Sequence, residues 1–373
     1  MKKLLALVLA FSMVFGLIAV NAVAEDKIKI GVSIWSSTDT LGSEVKRILD
    51  SAAETLGVDV VYVDQAHVSE QVTASAETLA MAGCDGMIIC NSSSAEMASV
   101  INTCTDNKMY LAQFFRVINA EANPTEYEMA KTSPYYVGTV HESEPDNGKR
   151  LVQIVCEKGA RKIGLMGWEP GDATFLGRWE GYKAGIEAWN AEHPSDQATL
   201  LEPQYGRTTS DTGRATAEAI IAANPDIDAL IVAGGGGDPL VGAIAAIEGL
   251  GLTGKIQVVS TDFLPDLGEK LKAGAMSAES GGHYADPFFA FMLVYNAIRG
   301  NYPTSTDGFY EVIFPYMFVA SPEDYEAYAK YFTGTELPYY PDEIKAMADY
   351  TIDQLKEACA ALSVSDVVAR HAK

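Results

Sequence analysis

Ala82-Gly83-Cys84-Asp85-Gly86-Met87-Ile88-Ile89 reads as a helix end, a glycine stop, an aspartate, and an apolar run too short to be a helix. Such a run, bounded by turn residues, is a fully buried strand. The same grammar returns far downstream in Pro225-Asp226-Ile227-Asp228-Ala229-Leu230-Ile231-Val232. Each run leads into a small polar segment, Asn91 to Ser94 or Gly234 to Gly237, and then another helical stretch. A strand apolar along its whole length must be covered on both faces, which is the condition of a parallel sheet flanked by helices. The echo predicts two lobes of one α/β plan, whether through duplication or through the shared grammar of α/β chains.

Working outward, strands are expected at Ile28 to Ile34, Val58 to Val63 and Met109 to Phe114. The helices between them run from Thr40 to Leu56, Ser69 to Ala82 and Ala95 to Thr105. Val117 to Ser133 is polar, contains Pro124 and shows no pattern, so it reads as a long connection. The alternation resumes at Tyr135 to Gly138. Further strands are expected at Lys162 to Met166, Thr199 to Glu202, Ala229 to Ala233, Ile256 to Ser260 and Ala275 to Ala278. Beyond Tyr310 the composition changes, with helices over Pro322 to Phe332 and Asp342 to Leu362. Tyr325, Tyr328 and Tyr331 share one face of the first of these, as a packing stripe.

The N-terminus carries a different signal. Lys2 and Lys3 precede an apolar run from Leu4 to Val20, and Ala22-Val23-Ala24 offers a small-x-small processing site. The run approaches the length of a membrane span, but the processing site predicts a cleaved export leader, residues 1–24, with cleavage after Ala24. No cysteine lies near the site, so no lipid anchor is expected. Two lysines and no acids leave with the leader, so the formal charge of −23 becomes −25. A surface this acidic repels phosphate backbones and anionic headgroups, which argues against nucleic acid or a membrane surface as partner. About 350 residues suit two domains.

Five cysteines, Cys84, Cys90, Cys104, Cys156 and Cys359, are an odd count without CxxC spacing. Buried thiols are the expectation, with one oxidised pair among the first three left open. The histidines show no metal-ligand spacing. Gly249 to Lys255 nearly spells a phosphate loop, but Ile256 stands where Ser or Thr must hold magnesium, and the stretch follows a helix instead of a strand. No nucleophile elbow or HExxH appears, so no catalytic residue or cofactor is proposed.

Open α/β sheets bind ligands at the carboxyl ends of their strands. Trp35, Ser36, Asp39, Phe115, Arg116, Trp168, Phe175, Arg178, Tyr205, Gly236, Asp238, Asp262 and Ser280 fall on or just past such ends. Aromatic faces suit the apolar C–H face of a sugar ring, while Arg and Asp each take two hydroxyls.

Five segments carry a family resemblance when taken in order: Ala53-Glu54-Thr55-Leu56-Gly57-Val58, Gly83 to Ile89, Arg178-Trp179-Glu180-Gly181-Tyr182, Pro225 to Ala229, and Val258-Val259-Ser260-Thr261-Asp262. The chain resembles the type I periplasmic solute-binding proteins, in the sugar-binding branch that includes ribose-binding protein, over roughly residues 27–314. The resemblance implies two Rossmann-like lobes joined by three crossovers, near Gly138, Ser280 and Tyr310, with the ligand cleft between them. Residues 25–138 with 281–312 would form one lobe, and 139–280 with 313–373 the other, including the C-terminal helices. Arg178 matches the family's hydroxyl-binding arginine, Asp262 its late aspartate, and Arg116 the arginine of an Asp-Arg pair. Phe115 replaces the aspartate of that pair, and Gly236 and Gly237 stand where an Asn-Asp pair is usual, so a ribose-like pocket is not expected. The implied activity is capture of a sugar-like small molecule by a monomeric exported protein that serves an ABC transporter permease. A sensory co-receptor or a secreted enzyme on the same fold are the alternatives.

Overall fold

The computed structural model describes residues 27–233, 238–302 and 308–372. The leader read at residues 1–24 and the glycine run containing Gly236 lie outside the described residues.

The first sheet opens with β1 (Lys29–Ile34), β2 (Asp59–Asp64), β3 (Gly86–Ile89), β4 (Tyr110–Phe114) and β5 (Tyr136–Glu142). The second follows with β6 (Lys162–Gly167), β7 (Thr199–Leu200), β8 (Gln204–Tyr205), β9 (Ala229–Val232), β10 (Gln257–Thr261) and β11 (Ala278–Gly281). The chain then returns to the first sheet as β12 (Tyr310–Phe314) and reaches the second again as β13 (Met317–Val319). Spatial order is β12-β5-β4-β3-β1-β2 in one sheet and β13-β11-β10-β9-β6-β7 in the other, with β8 also on β6. Pairing is parallel throughout except β11 with β13.

The two echoed aspartates have one structural task. Asp85 accepts the backbone N–H of Lys29, where β1 starts, at 2.8 Å. Asp228 accepts those of Arg161 and Lys162, where β6 starts, at 2.8–3.0 Å. Each carboxylate pins the entry of the strand beside it and so sets the register of a parallel pair. Gly31 and Gly164 occupy matching places in β1 and β6. A Cβ there would come within 2.6 Å of Leu79 and 2.4 Å of Ile227, so each lets apolar side chains settle onto the sheet.

Three passages join the sheets: Ser143 after β5, residues 282–285 after β11, and Pro315-Tyr316 between β12 and β13. After the second passage the Asp286–Ile298 helix packs on β3, β4 and β5, with Phe288, Phe289, Phe291, Leu293 and Val294 fully buried.

Several expectations need correcting. The patternless stretch Val117 to Ser133 contains the Pro124–Thr132 helix, because proline at its first turn needs no N–H partner. The strand expected at Ala275 to Ala278 lies three residues later, as β11. The single helix expected over Asp342 to Leu362 is two, Pro341–Met347 and Ile352–Ala361, because Thr351 and Gln354 form a capping box that restarts the chain.

The C-terminal helices, expected on the second lobe, are shared. Pro322–Tyr331 packs on β13 and the Leu267–Ala273 helix, burying Tyr328 and Tyr331, whereas Pro341–Met347 packs on Thr40–Leu56 and Ile352–Ala361 on β12. Val364–His371 then returns to β13 and Pro322–Tyr331. Arg47 of the first lobe donates to the carbonyls of Phe332 at 2.7 Å and Glu336 at 2.8 Å. The five cysteines are free thiols, all buried. Gly251 and Gly254 of the near-phosphate loop serve as left-handed turn residues, at φ 68° and 74°.

Candidate functional site

The carboxyl ends of the two sheets face each other across a cavity of about 370 Å³. Its first wall begins after β1. Trp35 donates its indole N–H to Asp39 at 2.6 Å, and the other oxygen of Asp39 caps the Thr40–Leu56 helix by accepting the N–H of Gly42 at 2.7 Å. Gly42 is obligatory, since a Cβ would lie 1.7 Å from the carbonyl oxygen of Ser36. His67, past β2, stacks on Trp35 with ring centroids 5.6 Å apart and planes 7° from parallel. Burial and the nearby Arg116 hold its pKa below the ordinary imidazole value.

Past β4, Phe115 turns at φ 57° and Arg116 follows. A bulky residue in the left-handed region is strained, and such strain persists only where surrounding contacts enforce it. Here Asp286, fully buried, accepts the Phe115 N–H at 3.2 Å, while Phe115 packs edge-on to Phe114 and His283. Behind this wall Gln113 donates to Asn91 at 2.6 Å and accepts from Tyr136, and Gln65 donates to the Cys90 carbonyl at 2.7 Å. The amides of this lobe therefore brace the wall, and among the described residues the cavity lining contains no Asn or Gln.

The passages between the sheets supply His283 and Tyr316, and Glu142 and Glu144 flank the first of them on either side of Ser143. Glu144 accepts from Arg178 Nε at 2.6 Å and from the Tyr316 hydroxyl at 2.9 Å, tying the first passage to the third and to the second lobe. Arg178 itself is only 5% exposed. Burial pulls its pKa down, but Tyr316, Glu144 and Asp262 outweigh that and hold it above the usual guanidinium value. Asp262, at φ 73° past β10, completes the second wall with Thr174.

Of the residues expected from the sequence, Trp35, Asp39, Phe115, Arg116, Arg178 and Asp262 line this one cavity. The others do not. Phe175 is a core residue, 1% exposed, stacked on Trp179 and edge-on to Tyr205. Tyr205 packs against that same core, and Trp168 sits with its indole N–H buried and unpartnered. Ser36 caps its own loop through the N–H groups of Thr38 and Asp39, and Ser280 is fully buried against Thr261 at 3.0 Å. Asp238 is exposed at the start of the Asp238–Gly249 helix, away from the cavity lining. Glu142, Glu144, His283 and Tyr316 had one available signal: they lie at or just past the ends of β5, β11 and β12, where the chain changes sheets.

The sequence profile of the family described as periplasmic binding protein domain matches residues 30–300. The chain belongs to that family. Solved structures with the same fold include an ABC transporter solute-binding protein of Bacillus halodurans C-125 with bound myo-inositol. It is 19% identical, with a TM-score of 0.57, and the match covers 81% of this chain and 97% of that one. An ABC transporter periplasmic solute-binding protein of Actinobacillus succinogenes 130z with bound D-allose is 18% identical at a TM-score of 0.60, covering 80% and 98%. A Caulobacter myo-inositol binding protein is 17% identical at 0.56, covering 79% and 93%. A search of curated proteins finds no match. The family profile ends at residue 300, so this periplasmic binding protein carries its C-terminal helices beyond the matched span.

Proposed function

We propose that this protein captures a sugar-like, polyhydroxylated solute by closing its lobes and delivers it to an ABC importer. The observation that supports this reading is the shared cavity, whose lining combines aromatic faces (Trp35, Phe115, Tyr316) with guanidiniums and carboxylates from both walls. Aromatic faces take the apolar side of a ring, and the ionic groups take pairs of hydroxyls with bonds that strengthen once water is excluded. The relatives that hold myo-inositol and D-allose lend the ligand class. Capture requires only differential contact between open and closed lobes and no covalent step. A thermal-shift screen of hexoses, pentoses, cyclitols and nucleosides tests it, followed by calorimetry and small-angle scattering on the hits. The expected result is saturable binding with a decrease in radius of gyration. Binding that leaves the scattering profile unchanged, or turnover of the bound compound, counts against the reading.

A further inference from the structure

Resting on that reading of the cleft, we propose that the solute carries a protonated amine on its polyol frame, as an amino sugar or aminocyclitol does.

Charge and donor balance carry the inference. Asp39, Glu142, Glu144 and Asp262 line the cavity with Asp286 directly behind Phe115, against two guanidiniums, Arg116 and Arg178, and the imidazoles of His67 and His283 among the described residues. Several of these groups are already committed. Arg178 is held by Glu144 and Tyr316, and Asp39 by Trp35 and Gly42. Asp262 has no hydrogen-bond donor among the described residues, and Glu142 Oε1 and Asp286 Oδ2 are buried with no donor but the proton these two carboxyls share. The acceptors left for a ligand thus come from both sheets, Glu142 at the end of β5 and Asp262 after β10. Lobe closure would desolvate this excess negative charge and draw like charges together, both of which are unfavourable.

A neutral polyol does not remove that excess. Hydroxyls can donate to the carboxylates and accept from the guanidiniums, but they bring no charge to offset the excess. An ammonium brings three donors and a positive charge to acceptor-only groups. The aromatic faces of Trp35, Phe115 and Tyr316 favour a cation further.

The Glu142–Asp286 pair gives independent support. Burial pushes both carboxyls above their ordinary values, Glu144 adds to the rise at Glu142 and Glu142 to that at Asp286, so the hydrogen-bonded pair keeps a proton. His283 and Glu144 on the passages, His141 on β5, and Arg116 after β4 are the charged or titratable groups around it. An ammonium seated there takes over that role, and the displaced proton leaves to buffer.

The test compares D-glucosamine with D-glucose and N-acetyl-D-glucosamine, and the galactose series likewise, by calorimetric titration of the purified protein at pH 7. The amines are expected to bind at least about tenfold tighter than both uncharged counterparts, a difference of about 1.4 kcal/mol. Titrations in phosphate and in Tris should show proton release, and Glu142→Gln or Asp262→Asn should narrow the preference. Equal or tighter binding of the uncharged sugars overturns the amine inference and leaves the sugar-receptor reading standing. A preference unchanged in both variants overturns the assignment to these carboxylates. If no member of either series binds, the amine inference falls, and the sugar-receptor reading is decided by the wider screen of pentoses, cyclitols and nucleosides. The parent protein alone decides the preference should a variant not fold.

Discussion

Two buried side chains show how far local surroundings can bend ordinary chemistry. Glu279 on β11 accepts the Leu264 N–H with one oxygen, while the other is buried without a donor. Burial, and then Asp262 and Asp266, push its pKa well above the carboxylate range. The folded protein therefore keeps a proton that the unfolded chain releases above about pH 4.3. Its contribution is neutral below that pH and increasingly unfavourable as pH rises toward the folded value. Glu279→Gln keeps an acceptor for Leu264 and removes the titration. Melting curves should show a small gain over the parent at pH 5 and a larger one at pH 8; an equal gain at both would contradict the assignment. Arg178 runs the other way. Removing it strands Glu144 and Tyr316, so Arg178→Ala should cost about 3 kcal/mol in urea unfolding as well as at least about tenfold in affinity for the solute, roughly the loss of one charge-assisted hydrogen bond. A variant that melts and binds like the parent would show that this arginine is peripheral.

At the scale of elements, the paired aspartates before β3 and β9 are the most economical device in the fold. Asp85→Ala removes one charge-assisted bond to a strand entry and should destabilise by about 1–2 kcal/mol; Asp228→Ala, which frees two N–H groups, should cost about 2–3 kcal/mol. They sit in different sheets, so the double variant should be additive to within about 0.5 kcal/mol by urea unfolding. Coupling well beyond that would mean the lobes share a register-setting step. These elements were legible because a buried parallel strand is apolar along its length and its entry needs a fixed cap, and both are local facts of sequence. Trp168, Phe175 and Tyr205 misled for a related reason. Position after a strand is also local, but whether a ring turns to the cavity or to the core depends on packing, and here Phe175 turns inward onto Gly167 and Trp179. Glu142, Glu144, His283 and Tyr316 were hidden because their meeting is made by three separate passages between sheets, which no spacing records.

At the scale of the whole molecule, the C-terminal helices turn a two-lobe protein with three connections into one with an added strap. The first half of that strap depends on Arg47, whose two bonds to the carbonyls of Phe332 and Glu336 span nearly three hundred residues. Arg47→Ala should speed amide exchange across residues 332–348 and lower stability by about 1–3 kcal/mol, while exchange in β6, β9 and β10 stays as in the parent. Uniform acceleration throughout the protein would mean the strap is not a separate unit. Glu326 is exposed on the part of the strap seated against the second sheet's side and Glu357 on the part seated against β12, so the two positions ride on different sheets. Fluorophores placed there would turn the proposed lobe closure into an optical signal, with every residue of the cleft left native.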